Sequence, residues 1–376
     1  MSNNGNTHSR TPESTDTVII GGGQAGLALG YFLARQHRNF VILDANGRIG
    51  DAWRKRWDSL HLFSPAKFNG LEGMNFPGDR LSFPSKDEQA AYLESYAQRF
   101  NLPVLTDTRV DRVERSEEGY LVTSGDRQWS ASNVVVATGG EELAKTPPFA
   151  KDLSPRILQL HSTEYRRPGQ LQDGPVLVVG AGNSGAEIAL DVVRSHPTLL
   201  SGKPSAEIPF KHGRNAARFA LPIIRFAGLH ILTLDTPMGR KAAPGFIRHA
   251  APLIRTKIRD LTAAGVEVLP RIKGVTNGVP VTAEDQELRV ANVIWCTGYR
   301  HDFSWLDIPD VLDASGMPLQ RRGVVESAPG LYFLGLEFLY CAASSALPGI
   351  GRDARYLAEH MASRKPVPSV ARQDVG

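Results

Sequence analysis

The sequence predicts an α/β fold with two Rossmann-like dinucleotide-binding domains, the second inserted in the first. Two segments carry this prediction, residues 17–36 and 176–195. Each has a short apolar strand, a G-x-G-x-x-G turn and a helical pattern, in that order. This order begins a β-α-β unit with parallel strands. Each unit is closed downstream by a second apolar strand that ends in Thr-Gly, at 134–139 and at 293–298.

The first unit has the residues of a phosphate-binding turn. Gly21 permits the tight turn, Gly23 lets a pyrophosphate approach the backbone, and Gly26 allows the helix to pack closely on the strand. The free amides and the positive end of the helix dipole then face the diphosphate. Asp44 ends the next strand, where a carboxylate accepts hydrogen bonds from the ribose hydroxyls of an adenosine. The turn alone leaves FAD and NAD open, but the following segment, residues 50–54 (GDAWR), is typical of flavoproteins and favours FAD.

Between the two units the sequence predicts a helix and a small antiparallel region. Ser85 and Glu88 have the spacing of a capping box, which predicts a helix between Leu81 and Asn101. Residues 104–133 alternate between apolar and polar side chains, as antiparallel strands do.

The second unit favours a nicotinamide nucleotide with a 2′-phosphate. Gly180, Gly182 and Gly185 repeat the turn, and the next strand, residues 198–201, ends without a carboxylate. An acid at this place would repel a 2′-phosphate, whereas a hydroxyl and an ammonium group would bind it. We therefore expect NADPH, with Ser201 and Lys203 as the phosphate contacts. An ordinary surface lysine is the alternative interpretation of Lys203.

Residues 203–259 form a basic block with little pattern. They contain eleven Lys and Arg against two acids, a net charge of +9 in a chain whose total is +4. Within about 207–263 the sequence predicts helices that are broken by prolines 209, 222, 237, 244 and 252. Aromatic residues are sparse and no nucleic-acid-binding signature is present, so we expect an anionic small ligand or a solvated helical face.

Composition excludes several classes of protein. Of 376 residues, 41% are hydrophobic and 22% are charged, as in ordinary globular proteins. No apolar run reaches the ~18–20 residues that a membrane span needs, and the first 17 residues have no signal-peptide pattern, so a cytoplasmic protein is expected. Cys296 and Cys341 form no CxxC pair, which argues against a vicinal redox dithiol and a cysteine-based metal site.

These patterns predict the domain boundaries. The FAD-binding domain comprises residues 17–165 and 295–362, and the NADPH-binding domain comprises residues 172–294 with a helical insertion at about 207–263. Residues 1–16 and 363–376 are expected to be disordered tails. At the end of the last segment, residues 331–335 predict a strand, and residues 349–353 lead into a helix.

Together, the two turns, the two Thr-Gly strand ends and the G-x-x-W turn resemble the flavin-containing (class B) monooxygenases, a family with plant YUCCA-type and bacterial CzcO-like members. The resemblance covers residues 17–362. Its most specific parts are the segments 50–54, 57–65 (WDSLHLFSP) and 161–165 (HSTEY). In the family the last segment completes the fingerprint FxGxxxHxxx(Y/F) at the hinge into the nicotinamide domain.

The chain departs from the family at two places. His161 and Tyr165 match the fingerprint, but Pro155 and Ile157 stand where the family has Phe and Gly. Phe63 stands where the amine- and sulfide-oxidising members have an Asn near flavin N5, so the resemblance predicts a less stable oxygenated flavin and release of hydrogen peroxide.

The resemblance implies an NADPH- and FAD-dependent monooxygenase that acts through a C4a-hydroperoxyflavin on a small soft nucleophile or a carbonyl compound. The alternatives are an NAD(P)H-dependent flavin oxidoreductase that passes electrons to a partner or to O₂, and a non-catalytic nucleotide sensor. A small-molecule substrate and O₂ are the expected partners, without nucleic acid, membrane or metal, and a homodimer is left open.

For catalysis, the candidates are Phe63 and His161, the latter as a proton donor or as a structural hinge residue. The expected cofactor-binding residues are Gly21, Gly23, Gln24, Ala25, Gly26, Asp44, Trp53, Arg54, Leu60, His61, Val110, Ala137, Thr138, Gly139, Gly180, Gly182, Asn183, Ser184, Gly185, Ser201, Lys203, Thr297, Gly298 and Gly335.

Overall fold

The computed structural model describes residues 11–140, 143–204, 206–248 and 251–364. The strands, in chain order, are β1 (Glu13–Ile20), β2 (Phe40–Leu43), β3 (Val104–Leu105), β4 (Arg112–Ser116), β5 (Gly119–Ser124), β6 (Arg127–Val136), β7 (Leu143–Ala144), β8 (Leu158–His161), β9 (Val176–Val179), β10 (Thr198–Ser201), β11 (Glu267–Leu269), β12 (Ile272–Thr276), β13 (Val279–Thr282), β14 (Asn292–Trp295), β15 (Tyr299–Arg300), β16 (Leu306–Asp307) and β17 (Leu331–Phe333). The α-helices are α1 (Gln24–Arg35), α2 (Asp51–Arg54), α3 (Lys86–Arg99), α4 (Asn183–Val192), α5 (Leu221–Phe226), α6 (Pro237–Arg248), α7 (Ile258–Ala263) and α8 (Leu347–Ser363).

The first sheet is the expected Rossmann sheet with an antiparallel extension. Strand β1 pairs in parallel with β2 and β6, β2 pairs with β3, and β17 returns from the end of the chain to pair with β6. Strands β4, β5 and the first half of β6 are antiparallel, as the alternation of residues 104–133 predicted. The helix between Leu81 and Asn101 is α3, and Ser85 and Glu88 form its capping box.

The second sheet is fully parallel, in the order β11-β10-β9-β14-β8. The chain enters it after β6 and leaves it after β14 to return to the first sheet, so the second domain is inserted in the first, as predicted. The two connecting segments pair with each other through β7 and β15. This pairing brings both crossings between the domains to one place.

Three details of the sequence-based interpretation need correction. Strand β8 hydrogen-bonds to β14, so residues 158–161 belong to the second sheet and the first part of the first domain ends before residue 165. The expected amino-terminal tail is too long, because residues 13–16 pair with β6 as part of β1. At the carboxyl end, Ser363 was expected to lie in the disordered tail, but it is the last residue of α8. The remainder of the expected tails, residues 1–10 and 365–376, lies outside the described residues.

Two of the prolines expected to break helices lie within helical segments. Pro222 lies in a continuous helical stretch, residues 216–231, in which α5 is flanked by a π-turn on each side, and Pro244 lies inside α6. A π-turn already departs from the i→i−4 hydrogen-bond ladder, so the missing proline N–H costs less there.

A large hydrophobic core joins α1, α3 and α8 to the first sheet and extends beneath α4, and a smaller cluster covers the other face of the second sheet. No helix among the described residues is long and apolar enough to cross a membrane.

Candidate functional site

The first glycine turn is built by close backbone approaches. Gly21 has φ +113°, and a methyl group on it would lie 2.4 Å from the carbonyl oxygen of Ala137 at the end of β6. A methyl group on Gly26 would lie 2.0 Å from the carbonyl oxygen of Gly21. Both positions therefore need glycine so that α1 can pack against the ends of two neighbouring strands.

The environment of Gly23 is open, whereas those of Gly21 and Gly26 are crowded. Gly23 is the N-cap of α1, and no side chain caps this helix end. A methyl group on Gly23 would have no heavy atom within 4 Å, so the backbone amides at the start of α1 face open space. A cradle of free amides at a helix N-terminus is a site for a diphosphate.

The Asp44 carboxylate lies beside the glycine turn and is held by hydrogen bonds. This carboxylate is buried and accepts hydrogen bonds from the backbone N–H of Gly22, at 2.8 Å, and of Asn46, at 2.7 Å. The side-chain amide of Asn46 donates a third, at 2.9 Å. A carboxylate oxygen has more than one lone pair, so these oxygens retain acceptor capacity for ribose hydroxyls.

Other predicted residues of the first domain surround the same turn. The backbone N–H of Ala137 donates to Ile20, which joins the ends of β6 and β1, and is followed by Thr138 and by Gly139 at φ +84°. Gly335, also at φ +84°, lies with its Cα beside Ala25: a methyl group on it would be 3.2 Å from the Ala25 side chain. The ends of β1, β6 and β17 therefore meet at the start of α1.

The G-x-x-W turn forms α2, which is attached to α1 and α3. The indole N–H of Trp53 donates to the side-chain oxygen of Gln24, at 3.2 Å. The Arg54 guanidinium donates to Asp51 and to Glu94 of α3, both at 3.0 Å. These contacts attach α2 to α3 beside the turn.

The segment 60–63 connects the first domain to the helical insertion. Leu60 is buried and Val110 half-buried, whereas 47% of the Phe63 surface is exposed. The His212 ring nitrogen Nε2 donates to the carbonyl oxygen of Phe63, at 2.9 Å, and Arg255 donates to that of His61, at 2.8 Å. The two domains thus meet where the sequence placed the flavin-facing residues.

The second glycine turn repeats the first in geometry. Gly180 has φ +112°, and a methyl group on it would lie 2.2 Å from the carbonyl oxygen of Cys296 at the end of β14. A methyl group on Gly185 would lie 1.8 Å from the carbonyl oxygen of Gly180. Gly182 is the N-cap of α4, again without a side-chain cap, and half-buried Ser184 follows in the first turn.

The side chains of two residues predicted to contact the nicotinamide nucleotide have hydrogen-bond partners within the protein. The Ser201 side chain is 1% exposed; its hydroxyl donates to the carbonyl oxygen of Pro270, at 2.8 Å, and accepts from the N–H of Ile272, at 3.0 Å. The expectation that this hydroxyl binds a 2′-phosphate is therefore corrected, because it points into the protein and links β10 to β12. Lys203 is exposed.

Asn183 is the second such residue. Its side-chain amide donates to the carbonyl oxygen of Pro252, at 2.9 Å, and its side-chain oxygen accepts from the N–H of Ile254, at 3.0 Å. These two hydrogen bonds hold the segment that precedes α7 against the amino end of α4.

A basic cavity that the sequence did not predict lies beside this segment. Its volume is about 300 Å³, and its lining residues are Lys211, His212, Arg255, Lys257, Arg259 and Asp260. Lys257 is buried and donates to the carbonyl oxygens of Ile208 and Phe210, at 2.7 and 2.8 Å. The excess of basic residues between 203 and 259 was its only signal in the sequence. A cavity of this charge favours a phosphate or a carboxylate group.

Glu72 is a second residue that sequence reasoning missed. A methyl group on Gly351 would lie 1.8 Å from the Glu72 carboxylate, so this acid lies against the first turns of α8. Burial raises the pKa of Glu72. Its only sequence signal is an acid between the apolar residues Leu71 and Met74.

His161 links the hinge to the end of the second domain. Its Nε2 donates to the carbonyl oxygen of Gly298, at 3.2 Å, and its Nδ1 lies 3.0 Å from the Thr163 hydroxyl. The backbone N–H of Thr163 donates to Nδ1, at 3.2 Å. Next to Gly298, the Thr297 hydroxyl donates to the carbonyl oxygen of Lys145 on the other connecting segment. His161 and Gly298, which the sequence predicted separately, are therefore in contact.

Comparison with known proteins shows the family. Residues 18–204 match the pyridine nucleotide-disulphide oxidoreductase family model. An uncharacterized CzcO-like oxidoreductase of Geobacillus kaustophilus is 39% identical over 344 residues, which cover 91% of this chain and 97% of that protein. Among solved structures, the flavin-containing monooxygenase from Stenotrophomonas maltophilia is 31% identical with a TM-score of 0.76, covering 93% of this chain and 98% of that one. The chain belongs to the flavin monooxygenase family. The rice indole-3-pyruvate monooxygenase YUCCA8 is a more distant relative, 28% identical over 92% of this chain and 90% of that protein.

Within this flavin monooxygenase, the fingerprint residues that match are buried in the hinge. His161 is 4% exposed, and the fully buried Tyr165 donates its hydroxyl to Asp191 of α4, at 2.8 Å. Ile157, where the family has Gly, is buried in the smaller hydrophobic cluster. The hinge of this flavin monooxygenase is therefore held by apolar packing in the first half of the fingerprint and by hydrogen bonds in the second.

We expect His161 to make the stability of the protein depend on pH. Burial lowers the pKa of His161, with the carbonyl of Gly298 opposing the shift. Below the ordinary histidine pKa of about 6.5 the unfolded chain binds a proton that the folded protein resists, so this contribution to stability is present above that pH and is lost as pH falls. In urea titrations, the decrease in the free energy of unfolding from neutral to mildly acidic pH should be smaller in His161→Gln than in the wild type. A decrease in His161→Gln equal to that of the wild type would contradict the assignment.

Proposed function

We propose that this enzyme is an FAD- and NADPH-dependent monooxygenase that transfers one oxygen atom of O₂ to a small soft nucleophile or a carbonyl compound. The observation that carries the proposal is the pair of glycine turns, one in each sheet, joined through the His161–Gly298 hinge. A flavin-dependent oxidoreductase follows from the family, and oxygen transfer to this substrate class is the proposed step. The overall reaction consumes NADPH, a proton, O₂ and substrate, and yields NADP⁺, water and the oxygenated product.

The residues of both turns fit the two cofactors. The open cradle at Gly23 and the fixed carboxylate of Asp44 suit the diphosphate and ribose of FAD. The turn at Gly180 and Gly185, together with exposed Lys203, suits NADPH. FAD supplies hydride acceptance and activation of O₂ when bound; the protein supplies binding, orientation and exclusion of water.

Phe63 is placed to affect how well oxygen transfer is coupled to NADPH consumption. Its carbonyl oxygen is fixed by His212, and its half-exposed ring is free to line the space between the domains. A phenyl ring excludes water but donates no hydrogen bond, whereas the resemblance implies an amide at this place in amine- and sulfide-oxidising members. We therefore infer partial release of hydrogen peroxide alongside oxygen transfer.

A second candidate function is an NADPH oxidase or reductase without oxygen transfer, and Phe63 is the observation that favours it. Reduction of a disulfide substrate by a thiol pair is disfavoured, because the only two cysteines, Cys296 and Cys341, lie 45 residues apart and burial raises the pKa of both thiols. The deciding experiment is reduction by NADPH without O₂, followed by rapid mixing with ¹⁸O₂ and candidate amines, sulfides and ketones. Label in the product supports the proposal; complete recovery of the electrons as hydrogen peroxide with every substrate class favours the oxidase.

We expect Phe63→Asn to lower the hydrogen peroxide formed per NADPH consumed. One neutral hydrogen bond contributes about 0.5–1.5 kcal/mol, which would lengthen the lifetime of the oxygenated flavin about two- to twelvefold. Peroxide assays, with stopped-flow absorbance during reoxidation, measure this effect. Phe63→Leu removes the ring without adding an amide and is the matched control. If both variants change coupling equally, Phe63 acts through the shape of the cavity alone.

A further inference from the structure

Exposed apolar side chains are concentrated on the helical insertion. Of the twelve large hydrophobic side chains that are exposed among the described residues, eight lie between residues 219 and 247. The most exposed are Ile223 (71%), Phe219 (65%), Met238 (60%) and Phe226 (58%). We call the exposed side chains of residues 213–247 the insertion surface. Apolar patches of this kind on a folded protein mark interaction sites.

The apolar side chains share one side of their helix. Phe219, Ile223 and Phe226 are spaced by four and three residues, which places them on one face. The carboxyl end of this helical stretch is attached to the rest of the protein: Arg352 of α8 donates to the carbonyl oxygen of Leu229, and beyond the helix the N–H of Leu234 donates to the carbonyl oxygen of Tyr340, at 2.9 Å. The apolar face is therefore directed outward from a fixed helix.

The insertion surface is also strongly basic. From residue 213 to 247 the sequence has five Lys and Arg against one acid, Asp235, which accepts a hydrogen bond from Tyr340, at 2.8 Å. Arg218 and Arg225 are exposed and adjoin the exposed rings of Phe219 and Phe226 in sequence. Exposed Arg240 and Lys241 continue the positive charge onto α6.

We propose that the insertion surface docks on an anionic phospholipid bilayer, with its apolar side chains in the boundary between headgroups and acyl chains. Aromatic and aliphatic side chains interspersed with arginine and lysine have the chemistry of such an interfacial site. A second copy of the chain fits less well, because a two-fold interface centred on this surface would bring its cations against each other. The proposal departs from the expectation of no membrane partner and is independent of the proposed oxygen transfer.

Vesicle flotation of the FAD-loaded full chain tests this proposal. With vesicles containing phosphatidylglycerol the protein should float at about 0.1 M salt and lose binding at about 1 M, where charges are screened within about 3 Å. Phosphatidylcholine alone should bind it at least about fivefold more weakly, because each cation near an anionic surface contributes about 1 kcal/mol.

Variants separate the apolar from the electrostatic contribution. Ile223→Glu should weaken partitioning by about tenfold or more, since a buried aliphatic side chain contributes about 1.5–3 kcal/mol. Lys241→Glu should weaken it by at least about fivefold. Leu319→Glu and Arg289→Glu change exposed residues outside the surface and should leave flotation unchanged. FAD content and urea unfolding establish that each variant is folded.

Two results would overturn the proposal. One is wild-type protein that does not float with anionic vesicles. The other is flotation that Ile223→Glu leaves unchanged. Light scattering after size exclusion measures whether a second copy of the chain occupies the insertion surface instead. A wild-type dimer that does not bind vesicles, and that Ile223→Glu dissociates, would show that the surface is an interface between two copies.

Discussion

Gly23→Ala is expected to yield a folded protein that binds FAD about ten- to a hundredfold more weakly. The added methyl group meets no heavy atom of the protein within 4 Å, and the backbone at Gly23, with φ −77° and ψ −170°, is open to any residue. The free energy of unfolding of the apoprotein should therefore change by less than about 1 kcal/mol. The methyl group would instead occupy the space through which a diphosphate approaches the amides of α1, and overpacking of this kind costs about 1–3 kcal/mol. Fluorescence titration of the apoprotein with FAD measures the affinity.

Gly26→Ala is the matched comparison. Its methyl group would lie 2.0 Å from the carbonyl oxygen of Gly21, so α1 would have to move away from β1. We expect destabilisation of about 3 kcal/mol or more together with loss of FAD. If Gly23→Ala binds FAD as the wild type does, the diphosphate does not lie over this turn and the assignment of the first domain fails.

Lys203→Glu is expected to lower the preference for NADPH over NADH by about ten- to a hundredfold. Lys203 is exposed directly beyond β10, at the place where a 2′-phosphate is bound when no acid ends the strand. A hydrogen bond to a charged group contributes about 1.5–3 kcal/mol, and the reversed charge adds repulsion. The readout is kcat/KM for the two donors, with NADPH preferred by the wild type.

Ser201→Ala provides the contrast for this experiment. Because the Ser201 hydroxyl is already bonded to Pro270 and Ile272, its removal should lower the free energy of unfolding by about 1–2 kcal/mol and leave the NADPH to NADH ratio unchanged. A changed NADPH to NADH ratio in Ser201→Ala would show that the serine contacts the 2′-phosphate after all. An unchanged ratio in Lys203→Glu would show that Lys203 does not, and would favour the basic cavity as the 2′-phosphate site.

The features of the fold that depend on local sequence could be predicted from it. A glycine turn needs a missing side chain at fixed positions, and each of Gly21, Gly26, Gly180 and Gly185 does have a carbonyl oxygen where its methyl group would be. The capping box at Ser85 is likewise a contact within one turn of the chain. The contacts of Gly26 and Gly185, like the capping box, lie within one segment, whereas Gly21 and Gly180 meet Ala137 and Cys296 of distant strands. The glycine pattern nevertheless marks all four positions, because each turn has the same sequence signature.

The environment of individual side chains could not be predicted. In the sequence Ser201 ends a strand, and only the hydrogen bond from Ile272 of β12, 71 residues later, shows that its hydroxyl is used within the protein. Asn183 appears as a free first-turn residue until residues 252–254 cover it. Prolines 222 and 244 suggested helix breaks, whereas Pro222 lies in α5, between two π-helical turns, and Pro244 lies inside α6.

The basic block illustrates the same limit. The sequence left two alternatives for residues 203–259, an anionic ligand or a solvated face, and in the structure some of these cations line a cavity while others lie on an exposed surface. Lys211, Arg255 and Lys257 line the basic cavity, whereas Arg218 and Arg225 lie on the exposed insertion surface. Linear charge density does not specify which cations converge, because convergence depends on how the segment folds back on itself.

The sequence by itself determined the two Rossmann-like domains, the insertion of one in the other and the positions of both glycine turns, since these follow from hydrophobic periodicity and the steric needs of glycine. Tertiary structure alone decided which polar groups remain available to a ligand. His161 became a hinge residue through Gly298, 137 residues away, and Phe63 faces the insertion because His212 holds its carbonyl oxygen. A hydrogen bond satisfies a polar group regardless of its distance in sequence, so the assignment of partners requires the complete fold.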